Sequence, residues 1–103
     1  MSDTYDGEDY TRIEITAADR HLFEVGDTSD ALAHKVLEFV QKNAKGFSKG
    51  MQFEVEFPAD LFKSVSGLAL AMSVDQFAPH YGLEYKGHVF SGVVRFEFEQ
   101  RKG

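Results

Sequence analysis

Residues 51–57 read MQFEVEF, a strict alternation of large apolar and polar side chains. In an extended chain the methionine, the valine and the two phenylalanines fall on one face, and the glutamine and two glutamates fall on the other. Pro58 is expected to end the strand, because proline cannot donate a hydrogen bond to a neighbouring strand. The stretch therefore predicts a strand with one buried face and an acidic outer face.

The carboxyl-terminal part of the chain has a similar pattern. Large apolar residues alternate with more polar ones over residues 88–99, which predicts a long strand. A shorter strand is expected to start at residues 83–85 and to be interrupted at Lys86 and Gly87, so this region forms one strand or a hairpin. Gly92 lies in the apolar row and indicates a bulge or room for a neighbouring ring.

Residues 28–45 predict a helix. Asp27, Thr28 and Asp30 suit the cap and the first turn, where acidic side chains meet the positive end of the helix dipole. Gly46 is the expected stop. The apolar residues at helical spacing are Leu32, Val36, Phe39, Val40 and Ala44.

Two segments have less regular patterns. Residues 10–26 alternate on both sides of a short turn, which predicts a β-hairpin. Residues 59–81 carry apolar residues on two sides of a helix. This pattern fits one helix buried on both sides, a break at Gly67 or at the capping-box pattern of residues 73–76, or a strand over residues 68–74.

These elements follow one another as β-β-α-β-α-β. They predict an α+β fold with a mainly antiparallel sheet of four to five strands and two helices packed on one face. We expect residues 10–100 to form a single domain and residues 1–9 to form a flexible acidic tail. The acidic residues of that tail are Asp3, Asp6, Glu8 and Asp9.

The composition limits the classes of function. The 103 residues include no cysteine, which excludes disulfides, thiolate nucleophiles and iron–sulfur ligation. The chain has no apolar stretch near the about 20 residues of a membrane span and no signal-peptide pattern, so we expect a cytoplasmic protein that does not bind membranes. A net charge of −6 disfavours direct binding to nucleic acid and is compatible with a basic protein partner.

The uncovered sheet face is the most distinctive predicted feature. Arg12 and Arg95 lie among its acids and could offset them as exposed cross-strand pairs. Alternatively, the face binds a basic surface of another protein, in the limiting case a nucleic-acid groove, or mediates a homodimer. The glutamates predicted to point outward, and so to bind the partner, are Glu14, Glu24, Glu54, Glu56, Glu97 and Glu99.

The remaining candidate chemistry is weaker. The four histidines match no metal motif, and we predict no metal or cofactor. His34 is expected to be a solvated helix residue, whereas His80 and His88 could meet across a turn. Ser64, Ser66 and Ser73 lack the surroundings of a nucleophile, and no glycine-rich phosphate loop is present.

Three functional hypotheses follow. The first is a non-catalytic protein-binding module, similar in size and charge alone to small acidic inhibitors of the immunity-protein or phage anti-defence kind. The second is a ferredoxin-like or dimeric-barrel enzyme or ligand binder, with a pocket between sheet and helices near His80 and His88 and with Tyr81 or Tyr85 at its mouth. The third is a self-assembling structural subunit.

Overall fold

The computed structural model describes residues 11–23 and 28–101. These residues form an α+β fold with four strands, two α-helices and three short 3-10 helices. In chain order the main elements are β1 (Thr11–Glu14), α1 (Ser29–Asn43), β2 (Gln52–Pro58), α2 (Gly67–Phe77), β3 (Leu83–Phe90) and β4 (Val93–Gln100). The 3-10 helices are Ala18–Phe23, Ala59–Phe62 and Ala78–Tyr81.

The sheet has the strand order β1-β2-β4-β3 and is mixed. β1 runs parallel to β2, whereas β4 is antiparallel to both β2 and β3. The prediction of a mainly antiparallel sheet is therefore wrong. The physical reason is that α1 carries the chain from β1 back to the start of β2, and a crossover of this kind joins parallel strands.

The hairpin predicted for residues 10–26 is also wrong over the part that the structure describes. Residues 18–23 form a 3-10 helix, which begins after a set of local hydrogen bonds between Thr16 and Asp19. The Thr16 amide and hydroxyl both donate to the Asp19 carboxylate, over 3.1 and 2.9 Å. This helix brings Phe23 into the core, where its ring centroid lies 5.3 Å from that of Phe57.

The helix predicted at residues 28–45 is confirmed as α1. The Thr28 side chain caps it by accepting a hydrogen bond of 3.1 Å from the Ala31 amide. All five residues of the predicted apolar face are buried, together with Ala33 and Leu37. Local capping and packing against the sheet thus select the same helix.

The segment 59–81 breaks into three pieces, and none of them is a strand. The α-helix begins at Gly67, and the Ser66 hydroxyl caps it by accepting a hydrogen bond of 3.3 Å from the Ala69 amide. The break near Gly67 is confirmed. The alternative break at residues 73–76 and the strand over residues 68–74 are wrong, because α2 runs through both without interruption.

Both α-helices pack on one face of the sheet, where their buried residues join those of the strands in a single core. The space between the sheet and the helices is largely filled with phenylalanine rings, and a partly polar pocket of about 450 Å³ opens beside them between α1, the 3-10 helix Ala78–Tyr81 and the end of β4. The buried rings are Phe23, Phe39, Phe53, Phe57, Phe62, Phe96 and Phe98.

The strand predicted over residues 88–99 is interrupted by a tight turn at Ser91 and Gly92. Gly92 has a φ of +74°, which glycine adopts without strain, and the Ser91 amide donates to the Val93 carbonyl over 3.0 Å. The bulge lies elsewhere, between Tyr85 and Gly87, where Lys86 is the extra residue. The glycine therefore makes a β3–β4 hairpin rather than a bulge.

Ser73 joins the two helices, and its loss should weaken their packing. Its hydroxyl donates to the Asp30 carboxylate over 2.7 Å, and the residue is 7% exposed. We expect Ser73→Ala to lower the free energy of unfolding by about 1–2 kcal/mol, because it leaves a charged acceptor without its donor. Urea denaturation measures the change. Ser64→Ala, at an exposed position, is the control and should change stability by less than about 0.5 kcal/mol; equal effects would contradict the assigned role.

Candidate functional site

The sheet face that points away from the two helices carries most of its polar groups in rows across the strands. We call it the outer face. Its residues on β1 and β2 are Arg12, Glu14, Gln52, Glu54 and Glu56, and its residues on β4 and β3 are Arg95, Glu97, Glu99, Glu84, Lys86 and Val89. No described helix covers this face.

Four residues at the centre of the outer face form the Arg/Glu cluster, defined as Arg12, Glu54, Glu56 and Arg95. Arg12 forms a hydrogen-bonded ion pair with Glu54, and its Nη1 lies 3.3 Å from Glu56 Oε1. On the other side, Arg95 Nε lies 3.7 Å from Glu54 Oε2, and Arg95 Nη2 lies 3.5 Å from Glu56 Oε1. Two positive and two negative charges thus balance within the cluster.

Glu54 is the most buried member of the Arg/Glu cluster, with 4% of its surface exposed. The hydrogen bond and the charge of Glu54 raise the pKa of Arg12 and so favour the protonated guanidinium. A carboxylate this far from water needs its cationic partners. Glu54 therefore stabilises the sheet and is not free to contact a partner protein.

Three pairs of glutamates face each other directly across the outer face. Glu14 is opposite Glu56 on the parallel pair β1–β2. Glu54 is opposite Glu97 on β2–β4, and Glu84 is opposite Glu99 on β3–β4. Like charges in directly opposed positions destabilise a sheet. The outer face thus retains an electrostatic cost in every one of its strand pairings.

Salt bridges to basic side chains offset the repulsion between these glutamates only in part. We call Glu14, Glu84, Glu97 and Glu99 the flanking carboxylates. Lys86 Nζ lies 3.6 Å from Glu84 Oε2 and 3.8 Å from Glu99 Oε1, so two of these acids share one lysine. Glu14 and Glu97 form no salt bridge with another described residue. Outside the Arg/Glu cluster, this face therefore carries three more negative than positive charges.

Five of the predicted partner-binding residues lie on the outer face as expected, but they divide into two groups. Glu54 and Glu56 belong to the Arg/Glu cluster, whereas Glu14, Glu97 and Glu99 are flanking carboxylates. Glu84 was missed, although its position between Leu83 and Tyr85 gives it the phase of an outward residue. Glu24 and the tail acids Asp3, Asp6, Glu8 and Asp9 lie outside the described residues.

Most of the excess negative charge belongs to the stretches of sequence outside the described part. Residues 11–23 and 28–101 contain eleven acidic and ten basic side chains, against a net charge of −6 for the whole chain. The flanking carboxylates are therefore a local excess on a part of the protein that is nearly neutral.

The histidines do not gather into a metal site within the described part of the chain, where no group of three or more potential ligands is close enough. His34 is not solvated as predicted, because its Nδ1 and Tyr81 Oη share a hydrogen bond of 2.7 Å and its ring lies 4.4 Å from Phe77. His80 contacts Phe77, whereas His88 is stacked between Tyr85 and Phe90. The last two histidines thus have different aromatic partners.

Tyr85 should show a shifted titration. Burial raises its pKa from 10.0 to about 12, and the charges of Asp75 and Glu97 contribute. The folded protein keeps the phenol proton at a pH where the unfolded chain loses it. The stabilisation is therefore complete below about pH 10 and is lost as the pH rises towards about 12.

The ultraviolet absorbance of tyrosinate measures this titration. We expect Tyr85→Phe to remove a tyrosine that ionises near pH 12 and to flatten the fall in stability above pH 10. A variant with an unchanged high-pH titration would contradict the assignment.

The sequence matches no protein-family model and shows no significant similarity to a curated protein. Among the described residues, neither α-helix combines the length and the apolar character needed to cross a membrane. The geometry of the outer face is accordingly the main guide to function.

Proposed function

We propose that the protein is a small non-catalytic protein-binding module whose outer face binds a basic surface of another protein. The observation that supports this proposal is the set of three directly opposed glutamate pairs, Glu14–Glu56, Glu54–Glu97 and Glu84–Glu99. A neutral residue at one position of each pair would make the free domain more stable. Sites that break a local rule of stability in this way are often functional sites.

In this proposal the acids of the Arg/Glu cluster and the flanking carboxylates have different roles. The Arg/Glu cluster neutralises Glu54 and Glu56 and fixes the centre of the face. In each opposed pair, this leaves at least one carboxylate with incomplete compensation, namely Glu14, Glu97 and either Glu84 or Glu99. Lysine or arginine side chains of a partner would complete the pairing and relieve the repulsion. The partner is thus expected to present three or more basic side chains in a row.

The additional acids of the sequence extend this proposal. Glu24 and the four acids of residues 1–9 would raise the rate of association with a basic surface, because long-range attraction steers the encounter. If the bound surface is a nucleic-acid groove, the module would act as an inhibitor by occupying it. A cytoplasmic location belongs to the same proposal.

Affinity capture with matched charge variants tests the proposal. The tagged protein is incubated with lysate of the native host, and bound proteins are identified by mass spectrometry. We expect Glu14→Lys/Glu97→Lys to lose the basic partner that the native sequence enriches. The control Glu38→Lys/Asp75→Lys makes the same change of net charge at exposed helix positions and should retain it. Equal enrichment by both variants would contradict the proposal.

A further inference from the structure

A second surface, formed by the exposed side of α2 and the end of β3, carries large apolar side chains. Leu68 and Met72 lie one turn apart on α2 and are 58% and 65% exposed. Val89 and Phe90, at the end of β3, are 36% and 43% exposed. The ring of His88 stacks on Phe90 with a centroid distance of 4.6 Å. We call these five residues the β3 strip.

The members of the β3 strip are held close together. A Cβ atom at Gly67 would lie 3.2 Å from Phe90 Cε2, so the beginning of α2 touches the end of β3. The one other large hydrophobic side chain exposed among the described residues is Leu22, on the 3-10 helix Ala18–Phe23. Four of the five exposed large hydrophobic residues in this part of the chain therefore lie on α2 and at the end of β3, and such clustering is typical of an interaction surface.

β3 is also an edge strand. It ends the strand order, and no described strand pairs with its other side. The bulge at Lys86, with Glu84 nearby, disrupts pairing along its first half, as in many protected edges. Residues 87–91 read GHVFS and have neither a bulge nor a formal charge. The second half of β3 can thus accept another strand.

We infer that two copies of this chain pair through the second half of β3 and form one continuous eight-stranded sheet. A protein with a net charge of −6 repels its own copy, so self-association needs an interface without like charges. The β3 strip and residues 87–91 meet this condition. A basic partner, in contrast, finds no carboxylate there to pair with its charges. The inference concerns the β3 edge and the exposed side of α2; it shares only Val89 with the outer face and does not depend on the proposed function.

Two-fold symmetry selects one register. An axis at Val89 places Val89 opposite its own copy and His88 opposite Phe90 of the second copy, and it leaves the bulge at Lys86 outside the paired segment. His88 and Phe90 lie on the same sheet face as α2. The two α2 helices therefore approach each other across the axis, with Leu68 and Met72 between them.

Sedimentation of the full chain tests the association. We expect a mass that rises with concentration from 11.6 kDa towards twice that value. Val89→Lys or Met72→Glu should weaken the dimer at least about tenfold, because either places a charge at the axis. Leu22→Glu adds a charge at an exposed apolar residue outside the strip and should leave the dimer intact. Circular dichroism verifies that each variant is folded.

A single cysteine tests the register, because the chain has none of its own. Opposed residues of antiparallel strands have Cα atoms about 4.5–5.5 Å apart, within the range that a disulfide spans. Val89→Cys should therefore form a covalent dimer under mild oxidation, and Leu22→Cys should not.

Three results would overturn the inference. The first is a mass of 11.6 kDa at every concentration up to about 1 mM. The second is a dimer that Val89→Lys does not weaken or that Val89→Cys does not lock. The third is a monomer whose capture of a different protein depends on Met72, which would assign the β3 strip to that protein.

Discussion

Replacing Glu54 by lysine is expected to lower the free energy of unfolding by about 3–5 kcal/mol, a large fraction of the about 5–15 kcal/mol that is typical of a folded domain. Glu54 is 4% exposed and pairs with Arg12 and with Arg95. The lysine would place a third positive charge between two arginines, in a position that water hardly reaches. Urea denaturation followed by circular dichroism measures the loss.

Glu97→Lys is the matched control for this experiment. Glu97 lies directly opposite Glu54 on β4, but it is half-buried and forms no salt bridge with another described residue. Its reversal is expected to change stability by about 1 kcal/mol or less. Similar losses for the two variants would show that the Arg/Glu cluster has no special structural role.

Phe57→Ala is also expected to have a large effect and to lower the free energy of unfolding by about 3–5 kcal/mol. The ring is fully buried and lies 5.3 Å from the rings of both Phe23 and Phe62, with Phe39 at 5.9 Å. It thus joins the sheet to α1 and to two of the 3-10 helices. Truncation leaves a cavity that the surrounding rings cannot easily fill, because three different elements hold them in place.

Phe90→Ala provides the comparison within the same residue type. Phe90 is 43% exposed, so its replacement by alanine should lower the free energy of unfolding of the isolated monomer by about 1 kcal/mol. Both variants are measured at low protein concentration, so that self-association does not contribute. A cost for Phe57→Ala no greater than that for Phe90→Ala would contradict the central position of the Phe57 ring.

The elements that could be predicted from the sequence are those whose local signals agree. β2 has strict alternation and a terminal proline, and α1 has a capping threonine and one continuous apolar face. At residues 18–23 the signals conflict: the alternation of apolar residues favours a strand, whereas the hydrogen bonds between Thr16 and Asp19 start a 3-10 helix that buries Phe23. The local pattern does not include the partner of β1, which lies some 40 residues away in β2.

The candidate site could be predicted only in part for the same reason. Alternation places both Glu54 and Glu97 on the outer face, but it does not distinguish the buried, ion-paired residue from the one without a described salt bridge. Their difference comes from Arg12, which reaches Glu54 from β1 across a separation of 42 residues. The order β1-β2-β4-β3, which sets the three opposed glutamate pairs, is a property of the whole fold.

Paired measurements on Glu97→Gln test the proposed function most directly. The first is the free energy of unfolding of the free protein, and the second is its affinity for the basic partner recovered by capture. We predict opposite effects: a gain in stability of about 0.5 kcal/mol from relief of the Glu54–Glu97 repulsion, and an affinity reduced about fivefold. An unchanged affinity would contradict the assignment of the flanking carboxylates to partner binding.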